Sequence, residues 1–121
     1  MNNDFDVTAI NLEELESLKN KLKQRFSILI QHYIEDAEKY MSGIEEGLSS
    51  GDLNVIATNA HPLKSSSAVL GLSGVSEIAK TIEVAAKGGE AINTIEPLVT
   101  PLKQALSYAI PKLREAMEDA A

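Results

Sequence analysis

The sequence predicts an all-α fold, an antiparallel up-down-up-down four-helix bundle with a short N-terminal helix across one end, and three observations carry that expectation. Apolar residues recur every three or four positions through four long segments, the period of a helix that buries one face. The links between those segments are only about three to six residues, which makes successive helices antiparallel neighbours. Hydrophobic residues make up 44% of the chain, yet only 4% is aromatic and there is no Trp, so the core is aliphatic and suits packed helices better than a β-sandwich. A chain of 121 residues holds one core and is too short for two ordinary domains, so residues 1–121 read as a single domain.

In chain order, Ile10, Leu12, Leu15 and Leu18 mark the short first helix, with Thr8 or Asn11 able to cap its start. Leu22, Phe26, Leu29, Tyr33, Ala37, Tyr40, Ile44 and Leu48 then form the seam of the longest helix, with no internal proline and one glycine, Gly43, towards its end. Ser49-Ser50-Gly51-Asp52 stops it: Gly51 suits the left-handed position past a helix end and Asp52 suits the cap of the next. The third segment has its seam at Ile56, Ala60, Leu63, Ser67 and Leu70 and ends at Gly71. Ser73 can cap a further helix with Val75, Ile78, Ile82 and Ala85 or Ala86 buried, closed by Lys87-Gly88-Gly89. Ile95, Leu98, Leu102, Leu106, Ala109, Leu113 and Met117 make the last helix, with Pro97 or Pro101 in a first turn and Pro111 as a kink. No repeat, low-complexity tract or strand pattern interrupts this order.

Composition excludes several function classes. A formal charge of −7 without any basic concentration argues against nucleic acid or an anionic membrane as partner. The absence of Cys removes disulfide frameworks, thiolate metal sites and CxxC redox chemistry, and fits the cytoplasm. The start, Met1-Asn2-Asn3-Asp4-Phe5-Asp6, is polar and acidic where a signal peptide is basic and then apolar, and no run is long enough to span a membrane.

One stretch, Asn59 to Gly71, concentrates the chemistry. Taken as a helix, it turns His61 about 130° away from the centre of the apolar seam, so the imidazole faces solvent. Ala57, Lys64, Ser65 and Ala68 share that face within one turn. Three of the four are small, so the ring stands clear for another protein to approach, and Lys64 adds a cation. Pro62 removes an amide that would bond to the Thr58 carbonyl, and it should bend the helix there without ending it, since the seam continues. On these features alone, His61 could equally be an ordinary surface histidine.

Ala60-His61-x-Leu63-Lys64-Ser65-Ser66-Ser67-Ala68-x-Leu70-Gly71 resembles the signature of the histidine-containing phosphotransfer domains of multistep two-component phosphorelays. The likeness runs on through Leu72, Val75, Ala79, Ile82 and Glu83, and upstream through Gly51-Asp52-Leu53. Two positions depart from the pattern. Ser65 stands where the family often has glycine, a mild change whose hydroxyl can fold back onto the His61 carbonyl, and Pro62 follows the histidine directly. The family has a four-helix bundle, in agreement with the periodicity.

The resemblance implies that His61 takes a phosphoryl group from the aspartyl phosphate of a receiver domain and passes it to the aspartate of another. Lys64 would contact phosphate oxygens. Glu83 occupies a position where the family often has a Glu or Gln that supports the active histidine, and is expected to accept from His61 Nδ1–H. Lys80, on the polar line Ser76-Lys80-Glu83-Lys87 of the following helix, would offset repulsion between Glu83 and phosphate. Ala57, Ser65 and Ala68 would form the low wall against which a receiver domain docks. The family's metal ion belongs to the receiver, so no metal and no cofactor is expected of this chain. It also has no glycine-rich ATP loop, and it reads as a monomeric phosphocarrier and not an enzyme. The competing reading is a helical adaptor that docks a receiver domain without carrying phosphate. A hydrolase or metalloenzyme fits least, because no carboxylate pair, His cluster or nucleophile–base pair can be assembled. His32, off the seam and without small neighbours, serves as an internal control.

Overall fold

A computed structural model describes residues 5–119. Met1–Asp4 and Ala120–Ala121, which the one-domain expectation includes, lie outside the described residues. Of the described residues 84% are helical and none is in a strand, so the all-α class holds. The elements are α1 (Leu12–Leu22), α2 (Arg25–Ser50), α3 (Leu53–Val69), α4 (Ser73–Lys87), α5 (Ile92–Ile95), a 3₁₀ turn (Glu96–Leu98) and α6 (Val99–Asp119).

Local chemistry accounts for most of the boundaries. Asn11 caps α1 through a side-chain bond from the Glu14 amide, and Asp52 caps α3 by accepting from the Asn54 and Val55 amides. Gly51 ends α2 at φ 71°, a left-handed conformation open to glycine at no steric cost. Three expectations need correction. Leu22 closes α1 instead of opening the long helix, because the chain turns at Lys23, whose φ of 52° breaks the ladder at a cost of about 1–3 kcal/mol for a residue with a side chain. Ser73 does not cap α4. The Gly74 amide there bonds to the Ala9 carbonyl, so the N-terminal segment satisfies a donor that a cap would otherwise take. The last segment is not one helix: α5 and the 3₁₀ turn precede α6, with Pro97 at the start of the 3₁₀ turn and Pro101 in the first turn of α6.

The core is aliphatic as composition requires. Ile30, Ile44, Ile56, Leu63, Leu70, Ile78, Ile82, Leu102 and Leu113 are fully covered, with Phe26 as the one fully buried aromatic ring. The site depends on α3, which packs against α2 on one flank and α4 on the other. On the α2 side, Gly43 and Gly47 let the backbones close up. A Cβ at Gly43 would collide with the Asn59 side chain, and one at Gly47 would come within 2.7 Å of Ile56. Ser67 is buried on the same side and bonded to the Tyr33 hydroxyl at 2.7 Å, so the one polar group in the α3 seam is satisfied. That burial pushes the Tyr33 phenol up to about 12.

Candidate functional site

On its other flank α3 meets α4 through polar contacts. The Ser76 hydroxyl donates to the Lys64 carbonyl at 3.1 Å, which fixes the register of the two helices one turn from His61. Two turns further along α4, Glu83 faces α3 and receives three donors. His61 Nδ1 lies 2.7 Å from Oε2, Lys64 Nζ 2.8 Å from Oε1, and Lys87 Nζ 2.9 Å from Oε2.

The Glu83 side chain is only 4% exposed, whereas the His61 side chain it holds is 59% exposed. Burial alone would favour the protonated acid. The bond from Lys64 is the largest influence and outweighs burial. Together with Lys87 and His61 it brings the carboxyl from the ordinary 4.5 down to about 2. Glu83 is therefore an anion at neutral pH, and an ionised carboxylate only accepts. It follows that Nδ1 of His61 carries the proton, and that in the neutral ring Nε2 holds the lone pair. Among the described residues Nε2 makes no hydrogen bond. The arrangement is an exposed imidazole with one nitrogen anchored and the other left with its lone pair unengaged, the form a nucleophilic histidine requires. With Glu83 balanced against Lys64 and Lys87, the cluster carries one net positive charge in a protein of formal charge −7.

Around His61 the helix is locally modified. Pro62 lies inside α3, so the exposed Thr58 residue lacks the amide partner its carbonyl would normally have. The Ser65 hydroxyl donates to the His61 carbonyl at 3.2 Å, and Ser66 donates to the Pro62 carbonyl at 2.8 Å. All three serines of the run are thus spent on backbone or on Tyr33.

The structure brings His61, Lys64 and Glu83 into one hydrogen-bonded cluster and leaves others apart. Lys80 is exposed and makes no salt bridge to Glu83 among the described residues; it shares an open groove with Lys64, Ser65, Ala68 and Ser76. The charge that Lys80 was expected to offset is met by Lys64 and Lys87. Ser65 and Ala68 are exposed beside His61, but Ala57 is buried. The buried arc of α3 is therefore wider than its apolar seam. Glu83, expected to accept from His61 Nδ1–H, makes that bond from a buried position on α4. Lys87 and Ser76 were not assigned roles from sequence. The spacing of Lys87 four residues after Glu83 was a readable ion-pair signal, whereas nothing local points to the Ser76–Lys64 contact. No group of acidic or histidine side chains suited to a metal occurs among the described residues.

Comparison with known proteins gives one finding: a family model described as Hpt domain matches residues 28–120. No curated protein and no solved structure matches the chain at a significant level.

Proposed function

Because this chain belongs to the Hpt domain family, whose members are phosphocarriers of two-component signalling and not enzymes, we propose that it relays a phosphoryl group between receiver-domain aspartates through His61. The observation that carries this reading is the bond from His61 Nδ1 to an ionised, buried Glu83, which leaves Nε2 outward as the lone-pair nitrogen. On this reading α2, α3, α4 and α6 form the antiparallel up-down-up-down bundle, residues 1–121 act as one domain, and the protein is a cytoplasmic monomer.

The transfer is an in-line displacement. The Nε2 lone pair attacks phosphorus, an N–P bond forms, and the P–O bond to the donor aspartate breaks with its electron pair leaving on the carboxylate. The ring gains a formal positive charge, which the Nδ1–H···Glu83 bond stabilises as it develops. Return to an acceptor aspartate reverses each step. Lys64 lies one turn from His61 and supplies a cation for the phosphoryl oxygens, while Ser65 and Ala68 keep the approach open to the partner. Exposure to a phosphorylated receiver domain should yield acid-labile, alkali-stable phosphate on His61. A chain that binds the receiver but acquires no such phosphate would instead be the docking adaptor.

A further inference from the structure

One nearly buried carboxylate with two lysines poses a question of charge that the relay alone does not answer. At rest, Glu83 is neutralised by both lysines. A phosphoryl group arriving on Nε2 brings about two further negative charges to the same turn and needs a cation there. If both lysines moved to it, the buried Glu83 would keep only the His61 Nδ1–H bond and lose both lysine partners, which is costly. If neither moved, the phosphoryl group would gain nothing from this chain beyond the Nδ1 bond.

The geometry separates the two lysines. Lys64 comes from α3, three residues after His61, and binds Oε1, the oxygen that His61 does not use. It can leave Glu83 without touching the Nδ1 bond. Lys87 comes from α4, one turn after Glu83, and binds Oε2, the oxygen that Nδ1 also uses. Its departure would disturb the anchored nitrogen directly. Lys80, one turn before Glu83, makes no salt bridge to the carboxylate among the described residues.

We propose that Lys87 is a positioning residue, the fixed counter-ion that holds Glu83 Oε2 against His61 Nδ1, while Lys64 exchanges from Glu83 Oε1 to the phosphoryl group when His61 is phosphorylated. The proposal rests on the phosphocarrier reading and assigns its two lysines different jobs. Lys64 touches the transferred group; Lys87 acts only through Glu83.

The test combines ammonium ¹⁵N–¹H NMR of the lysine side chains near neutral pH with transfer rates from a phosphorylated receiver domain. Phosphorylating the protein with phosphoramidate, a small-molecule donor, should shift the Lys64 ammonium resonance and leave that of Lys87 in place. Lys87→Gln should slow acceptance roughly tenfold, the scale on which removing the outer partner of a functional histidine acts, with thermal unfolding little changed. Lys87→Arg, which keeps the charge at the same oxygen, should restore the rate to within about twofold. The proposal is overturned if phosphorylation moves Lys87 and not Lys64, if Lys87→Gln accepts phosphate as fast as wild type, or if Lys87→Arg is as slow as Lys87→Gln. Failure of the phosphocarrier reading looks different: wild-type His61 then takes no phosphate from the receiver, while the unphosphorylated protein still reports whether Lys87 or Lys64 holds Glu83.

Discussion

The chain contains two histidines, both on exposed helix faces, and only one has its ring anchored by a carboxylate. His32 on α2 is exposed and makes no hydrogen bond among the described residues. His61 on α3 is anchored at Nδ1 by a carboxylate that is itself buried and held by two lysines. Exposure is common to both, so it cannot be what confers chemistry. The difference lies in a neighbouring helix: α4 brings an ionised acceptor to one ring nitrogen and so decides which nitrogen keeps its lone pair. In the proposed relay, what makes a surface histidine a nucleophile is what stands behind it.

The largest effect should come from breaking the comparison outright. His61→Gln is expected to abolish phosphoryl acceptance while leaving thermal unfolding nearly unchanged, since the ring lies outside the core; His32→Gln should accept like wild type. Labelling both variants with a phosphorylated receiver domain checks this, and acceptance by the His61 variant would move the site elsewhere.

Glu83→Gln sharpens the comparison by making His61 more like His32. Gln can still accept from Nδ1–H but cannot stabilise the ring cation as an anion does, so transfer should fall about tenfold or more. The same variant has a stability signature. The carboxyl is depressed from 4.5 to about 2 by its cationic partners, so its contribution is complete above pH 4.5 and is lost as pH falls towards 2. Wild-type stability should therefore decline over that window more steeply than that of Glu83→Gln, as chemical denaturation at a series of acid pH values would show.

The smallest effect concerns Pro62, absent from any counterpart near His32. The helix continues through it. Pro62→Ala should therefore stabilise the fold, by up to the propensity difference of about 3 kcal/mol, and slow transfer if the missing Pro62 amide helps to direct the ring. Measuring both on one variant separates the possibilities. Greater stability with unchanged transfer would leave the proline without a catalytic role, and lower stability would mean that the helix starts afresh at Pro62.

Most of the scaffold of this comparison is legible in the sequence, because it is written in local terms. Periodic apolar positions, the Asn11 and Asp52 caps and the left-handed Gly51 each depend on residues within one or two turns. The break at Lys23 is not legible, since Leu18, Leu22 and Phe26 keep helical spacing across it and no glycine or proline marks the turn. The division of the last segment into α5, a 3₁₀ turn and α6 is hidden for the same reason: Ile95, Leu98 and Leu102 keep one period through it. At the site, the His61 face follows from helix geometry, and the resemblance pointed to Glu83. Its burial and its pairing with Lys64 arise from the way α3 packs on α4, which has no signature in either helix alone.

The central claim is that Glu83 assigns the proton to Nδ1 and so reserves Nε2 of His61 for phosphate. It is tested most directly by ¹⁵N–³¹P NMR of ring-labelled protein after transfer from a phosphorylated receiver domain. Phosphorus should couple to Nε2 of His61, with Nδ1 still protonated against Glu83. Phosphorus on Nδ1, or on His32, would contradict it.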